Sequence, residues 1–201
     1  SVGGIFGNTE YSEIKDVLVQ GTVSARYYNY NTGNDVGGVA GNANTVTFEN
    51  IYSRADVTQR YGSTVKGIGS GGIVGGNVNK GVTVIIRDSV SASTGAYSYR
   101  IADPRLLVNA DNVYELEGSS AMTNVTADNQ GRIHAAEQDL LHSAAFYRDT
   151  LGWPETIWDF SKVTDTGIPT LRFADAPSQY LFLDEEDYTS KDNREEEKTT
   201  S

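Results

Sequence analysis

Gly3-Gly4-Ile5-Phe6-Gly7, Gly37-Gly38-Val39-Ala40-Gly41 and Gly71-Gly72-Ile73-Val74-Gly75 are three versions of one phrase, and both steps between them are 34 residues. Self-similarity at a fixed period means stacked supersecondary units. More columns follow from the alignment: Ile14 with Phe48, Asp16 with Asn50, Val17 with Ile51, Val23 with Val57 and Tyr27 with Tyr61. In the third unit an insertion of four residues brings Ile86, Asp88 and Tyr99 into line at a step of 38. Each unit holds a Gly-bounded apolar segment, a longer strand pattern such as VTFENIYSRADVT and a polar connection. That reads as two or three short strands with turns at glycine.

Such a unit cannot hide its apolar face alone. In-register stacking buries Ile5, Val39 and Ile73 against one another, and Ile14, Phe48 and Ile86 likewise. The units lack the i, i+3, i+4 spacing of helices. The expected fold is therefore mainly β, a parallel β-helix of three to four coils. A degenerate fourth coil starts near Tyr99, where ADNVYELEG at 110–118 resembles IKDVLVQG at 14–21.

At Ala135 the pattern changes. Leu140, Leu141, Phe146, Tyr147 and Leu151 are spaced as one helical face. Gly152 suits the residue that ends a helix, and Pro154 cannot continue one. A strand is expected at Ile168 to Phe173. The division is repeats over 1–119, a C-terminal cap with one helix over 120–176 that closes the end of the stack, and an acidic linker over 177–201.

Composition narrows the function classes. Sixteen Lys and Arg stand against 27 Asp and Glu, a net charge of −11, which argues against nucleic acid. Much of the excess lies in Asp184-Glu185-Glu186-Asp187 and Glu195-Glu196-Glu197. There is no cysteine, so disulfides and thiolate metal sites are excluded. No run of about 18 apolar residues could cross a membrane as a helix. Ser1 opens inside a repeat without a signal peptide, which reads as a piece of a longer protein.

The GG(I/V)xG strand resembles the GLUG-type repeat of bacterial cell-surface proteins. AYSYRIAD, DNVYELEGSS and FYRDTLGWPETIWDFSKV followed by GIPTLRF resemble the segments that close such arrays. The resemblance covers about residues 1–175. It implies a right-handed β-helix on a secreted or surface-anchored bacterial protein, Gram-positive by preference, beside neighbouring domains of the same polypeptide. Such repeats also accompany IgA1-protease-type zinc metallopeptidases, whose HExxH helix has no counterpart here. The resemblance therefore implies no catalysis and no cofactor in this chain.

Each candidate site has a plainer reading beside it. His134 and His142 are eight residues apart, too far for a one-turn metal pair, and read as solvent-facing or helix-flanking. Serine is plentiful, yet no GxSxG elbow appears. KGIGSGGIVGG contains GxGxGG, but a turn and a strand follow where a dinucleotide site needs a helix. Its glycines read as close backbone packing. The Asx column Asp16, Asn50, Asp88, extended to Asn112, could supply paired carboxylates to a carbohydrate-active enzyme. Because it alternates with Asn, it reads better as a ladder of turns. Tyr27, Tyr61 and Tyr99, with Arg26 and Arg60 and with Tyr28, Tyr30 and Tyr97 nearby, form a candidate contact strip for a host glycan or host protein. The alternative is a stacking ladder along the flank. Trp153 and Trp158 read as core anchors of the cap, and the Asn124-Val125-Thr126 sequon as unmodified.

The preferred function is a non-catalytic scaffold or adhesive region of a secreted bacterial protein. The alternatives are a substrate-positioning region of an IgA1-protease-type metallopeptidase and a carbohydrate-active β-helix enzyme.

Overall fold

The computed structural model describes residues 1–27, 35–61, 64–66, 69–76, 83–95, 98–103, 108–126, 129 and 131–172. The acidic linker, Tyr28, Tyr30, Tyr97 and Phe173 lie outside them. The first repeat contributes β1 (Val2–Gly3) and β2 (Phe6–Tyr27), the second β3 (Val36–Gly37), β4 (Ala40–Tyr61) and β5 (Thr64–Lys66). Next come β6 (Ser70–Gly71), β7 (Val74–Gly76) and β8 (Val84–Ser91), then β9 (Val108–Leu116) and β10 (Ile133–Ala136). The described residues finish with α1 (Gln138–Leu141), a π turn at Phe146–Thr150, β11 (Trp158–Asp159), α2 (Val163–Thr166) and β12 (Thr170–Leu171).

The protein is mainly β, and its principal sheets are parallel. One runs β2-β4-β8-β9-β10, the other β1-β3-β6. Neither closes on itself among the described residues. Pairing follows the repeat: Val2 faces Val36 and Val36 faces Ser70, while β2 matches β4 at 34 residues from Phe6↔Ala40 to Tyr27↔Tyr61. The step lengthens to 38 at Phe48↔Ile86 and Glu49↔Arg87. It falls to 24 at Val84↔Val108 and to 20 at Val113↔Ile133.

Like therefore lies on like. Ile14, Phe48, Ile86 and Ala110 form one buried column, and Val17, Ile51, Val113 and Ile133 belong to the same core. Full burial of a side chain such as Phe48 stabilises by roughly 1.5–3 kcal/mol. Inside the stack a further column runs Val19, Ser53, Ser91, Glu115. Its serines hydrogen-bond across the interior, Ser53 Oγ to Gly72 O at 2.6 Å and Ser91 Oγ to Arg100 O.

Apart from Gly7, the glycines of the repeat serve close approach. None of them has a positive φ. A Cβ on Gly38 would lie 1.9 Å from Gly72 O, and one on Gly41 would lie 2.5 Å from Val2 N. In the following layer Tyr99-Arg100-Ile101-Ala102 takes the place of the Gly strand, with Gly71↔Tyr99 and Val74↔Ala102 as bridges. The strand column is thus Ile5, Val39, Ile73, Ile101, linked N–H to O=C at 3.1, 3.0 and 2.8 Å. Asn124 ends it. Its side-chain oxygen accepts the Ile101 N–H at 2.7 Å and the Ala102 N–H at 3.2 Å, and its amide donates to Ala102 O at 2.8 Å.

Four expectations need correction. Ile5 sits in register with Val39 but is 48% exposed, because β1 and β2 form the outermost layer with no described strand beyond them. Tyr99 does not follow Tyr61. The chain turns at Gly95 (φ 126°), and Tyr99 pairs with Gly71 and Met122 instead. The single helix is two short turns, α1 and Phe146–Thr150, separated at Ser143, whose Oγ accepts the Phe146 N–H at 3.4 Å. Finally, the segment 137–172 does not simply close the end of the stack. Leu141, Phe146, Tyr147, Leu151, Trp153, Trp158, Phe160 and Val163 build a second core on the outward residues Tyr52 and Val90, with Leu18 and Tyr114 packed beside it. Leu18, Tyr52, Val90 and Tyr114 come from four successive strands, so the segment runs along the flank. The Gly152 expectation matches its φ of 69°.

Candidate functional site

The Asx column is a corner of the backbone. Asp16, Asn50, Asp88 and Asn112 have φ of 55°, 55°, 45° and 53°. Asx residues tolerate this left-handed conformation better than other side chains do. Asn50 Nδ2 donates to Asp16 Oδ1 at 3.0 Å, and Asn112 Nδ2 donates to Asp88 Oδ1 at 2.7 Å. The flank segment binds the same corner. Trp158 Nε1 donates to Asp16 Oδ1 at 3.0 Å, Trp153 Nε1 to Asp88 O at 2.7 Å, and Asn112 Nδ2 also reaches Thr150 O at 3.1 Å. The indoles, tilted at 31° with ring centroids 4.3 Å apart and fully buried, are core anchors that also hold the corner.

One residue earlier runs a second ladder that the sequence reading missed. Lys15 faces Glu49, Glu49 faces Arg87 and Arg87 faces Asp111, so charge alternates through four layers. Lys15 Nζ lies 3.3 Å from Glu49 Oε2, and Arg87 reaches the same oxygen from Nη2 at 2.6 Å and from Nε at 2.9 Å. Burial would raise the Glu49 carboxyl, but hydrogen bonds from Arg87 and Lys15 outweigh it and hold it below its ordinary value. The hydrogen bond to Glu49 in turn raises Lys15 and Arg87. The available signal was the 34-residue step itself, applied one position before the Asx column.

A third polar cluster joins the late layers. Glu115 is fully buried, 3.1 Å from Arg100 Nη1, and takes hydrogen bonds from Thr123 Oγ1 and, at 2.9 Å, from the Asn124 N–H. Arg100 also donates from Nε to Ala121 O at 3.2 Å. A buried pair of this kind adds little net stability, while removing one partner leaves an uncompensated buried charge.

The tyrosine strip is shorter than expected. Tyr27 and Tyr61 are in register, as are Arg26 and Arg60. Both arginines are exposed, Tyr61 is half-buried, and β5 folds back antiparallel beside them with Tyr61↔Thr64. Tyr99 belongs to the Gly strand layer and is not part of this surface.

The histidines are engaged separately. His134 stacks on Tyr114 at 4.8 Å, and His142 Nδ1 lies 3.0 Å from Thr164 O. Among the described residues no group of three His, Cys, Asp or Glu could hold a metal ion. No helix among them is long and apolar enough to cross a membrane. Neither a protein-family model, nor a curated protein, nor a solved structure matches this chain.

Proposed function

We propose that the chain is a right-handed parallel β-helix that serves as a non-catalytic scaffold within a larger secreted or surface-anchored bacterial protein. The observation that carries the reading is the in-register stack, tied along its flank from the last layers back to Asp16. Repeats that contact only their neighbours make a stiff spacer. The Asx column supports it too, since Asp16 and Asp88 are engaged by the neighbouring Asn amides and Asp16 by an indole as well. The exposed Arg26 and Arg60 beside Tyr61 are the contact face of this scaffold for a host glycan or host protein.

The test is glycan-array and serum-protein binding by the chain and by an Arg60→Ser, Tyr61→Ser variant. Loss of binding in the variant supports the adhesive role. Equal binding by both removes this face from the proposal, and turnover of any polysaccharide overturns the non-catalytic reading.

A further inference from the structure

In a stack whose layers touch only their neighbours, either end can open while the rest stays closed. Residues 137–172 touch four layers at once. Phe146 meets Tyr114 of β9 edge-on with ring centroids 4.8 Å apart, and Thr150 O accepts the Asn112 amide of the same strand at 3.1 Å. Trp153 Nε1 donates to Asp88 O of β8 at 2.7 Å, and Trp158 Nε1 donates to Asp16 Oδ1 of β2 at 3.0 Å. Gly167 O then accepts the Tyr52 hydroxyl of β4 at 2.9 Å. In chain order the segment therefore meets the fourth, third, first and second layers.

The outward and returning limbs of the segment are joined to each other. β11 pairs antiparallel with β12 at Trp158↔Leu171 and Asp159↔Thr170, and the Arg172 N–H donates to Ile157 O at 2.9 Å. Between the limbs lies one aromatic cluster. The Tyr147 ring is 5.2 Å from Trp153 and 5.8 Å from Phe160, and Trp153 is 4.3 Å from Trp158. That cluster shares its core with Tyr52, Val90 and Ala92 of the stack, and with Leu18 and Tyr114 packed beside them. The limb over β2 cannot lift without opening this core, and opening it returns apolar surface of all four layers to water.

We infer that residues 137–172 act as a strap that joins the four layers into one cooperative unit, so that neither β2 nor β9 opens on its own. Layers that would otherwise open in turn share a single opening through the aromatic core of the strap. A scaffold held in this way keeps its length until it fails as a whole. The inference does not depend on the glycan or protein contact proposed for the Arg26 and Arg60 face.

Both tryptophans of the chain lie in the strap. Indole emission therefore reports the strap, while far-ultraviolet circular dichroism reports the strands. Urea unfolding of the full chain is followed by both probes, and the expected result is superimposable transitions. Under native conditions the amides of β2 and β9 exchange hydrogen with the same protection and the same urea dependence. In a chain carrying Phe160→Ala and Val163→Ala, altered only inside the strap, protection in β2 and β9 separates by at least about tenfold. Emission that changes at lower urea than the strand signal, separate openings of β2 and β9 in the native chain, or equal protection of the two strands in the altered chain each overturns the inference. If the altered chain does not fold, the two measurements on the native chain decide alone.

Discussion

The indole of Trp158 donates a hydrogen bond to Asp16 Oδ1 at 3.0 Å, joining residues 142 positions apart. Asp16 Oδ1 also accepts Asn50 Nδ2, so one oxygen ties the flank segment to the first two layers of the stack. The second core is thereby fastened to the layer furthest from the one it leaves.

Trp158→Phe keeps most of the buried ring and removes the donor. It should cost about 1.5–3 kcal/mol, the penalty of losing a hydrogen bond to a charged group. Trp158→Ala should cost about 3–5 kcal/mol through the cavity it leaves. Urea unfolding followed by circular dichroism measures both. No measurable cost for Trp158→Phe would show that the hydrogen bond contributes nothing.

Asn50→Asp preserves shape and tolerance of the left-handed corner but sets a third carboxylate between Asp16 and Asp88. We expect a loss of about 1 kcal/mol at neutral pH from like-charge opposition. The loss should shrink as the pH falls into the range where carboxylates take up protons. A penalty unchanged between pH 7 and pH 3 would mean that packing, not charge, governs the corner.

The Glu49 carboxyl is held below its ordinary value by Arg87 and Lys15, against the opposing effect of burial. A depressed folded-state value means stability that is present above the unfolded value and lost as pH drops through the folded one. Against Glu49→Gln, the native chain should hold an advantage of under about 1 kcal/mol at pH 7, limited by partial exposure. The advantage should vanish below the lowered value and weaken in about 1 M salt. Chemical denaturation of both proteins at pH 7 and pH 3 is the measurement, and a larger advantage at pH 3 would contradict the ladder.

Gly7 and Gly41 occupy the same place in successive repeats, and alanine should separate them. Gly41→Ala pushes a methyl into the Val2 backbone at 2.5 Å and should cost about 1–3 kcal/mol. Gly7→Ala meets nothing closer than 3.5 Å and should stay within about 0.5 kcal/mol. Thermal melts of the two variants test this, and comparable losses would refute the layer assignment.

Much of the stack is legible in the chain because its determinants are local. Val39 and Ile73 share a column because each follows a Gly-Gly pair that admits the neighbouring backbone. Asp16, Asn50 and Asp88 share a corner because Asx side chains suit that backbone conformation. Tyr99 was misplaced because the 38-residue step holds only while strands continue, and the turn at Gly95 breaks it. The charge ladder at Lys15, Glu49, Arg87 and Asp111 was visible in principle but hidden by its changing sign, which periodicity in residue type does not reveal.

Up to the turn at Gly95 the amino-acid order alone settled which residues lie over which, since the 34-residue step, the close-approach glycines and the corner Asx residues act within a layer or between adjacent layers. Tertiary structure alone settled where residues 137–172 go. Their apolar spacing announces something to bury but names no partner, and that partner is an outward column drawn from four separate strands, Leu18, Tyr52, Val90 and Tyr114. Such a surface exists only after the layers have stacked, so no local pattern could encode its position.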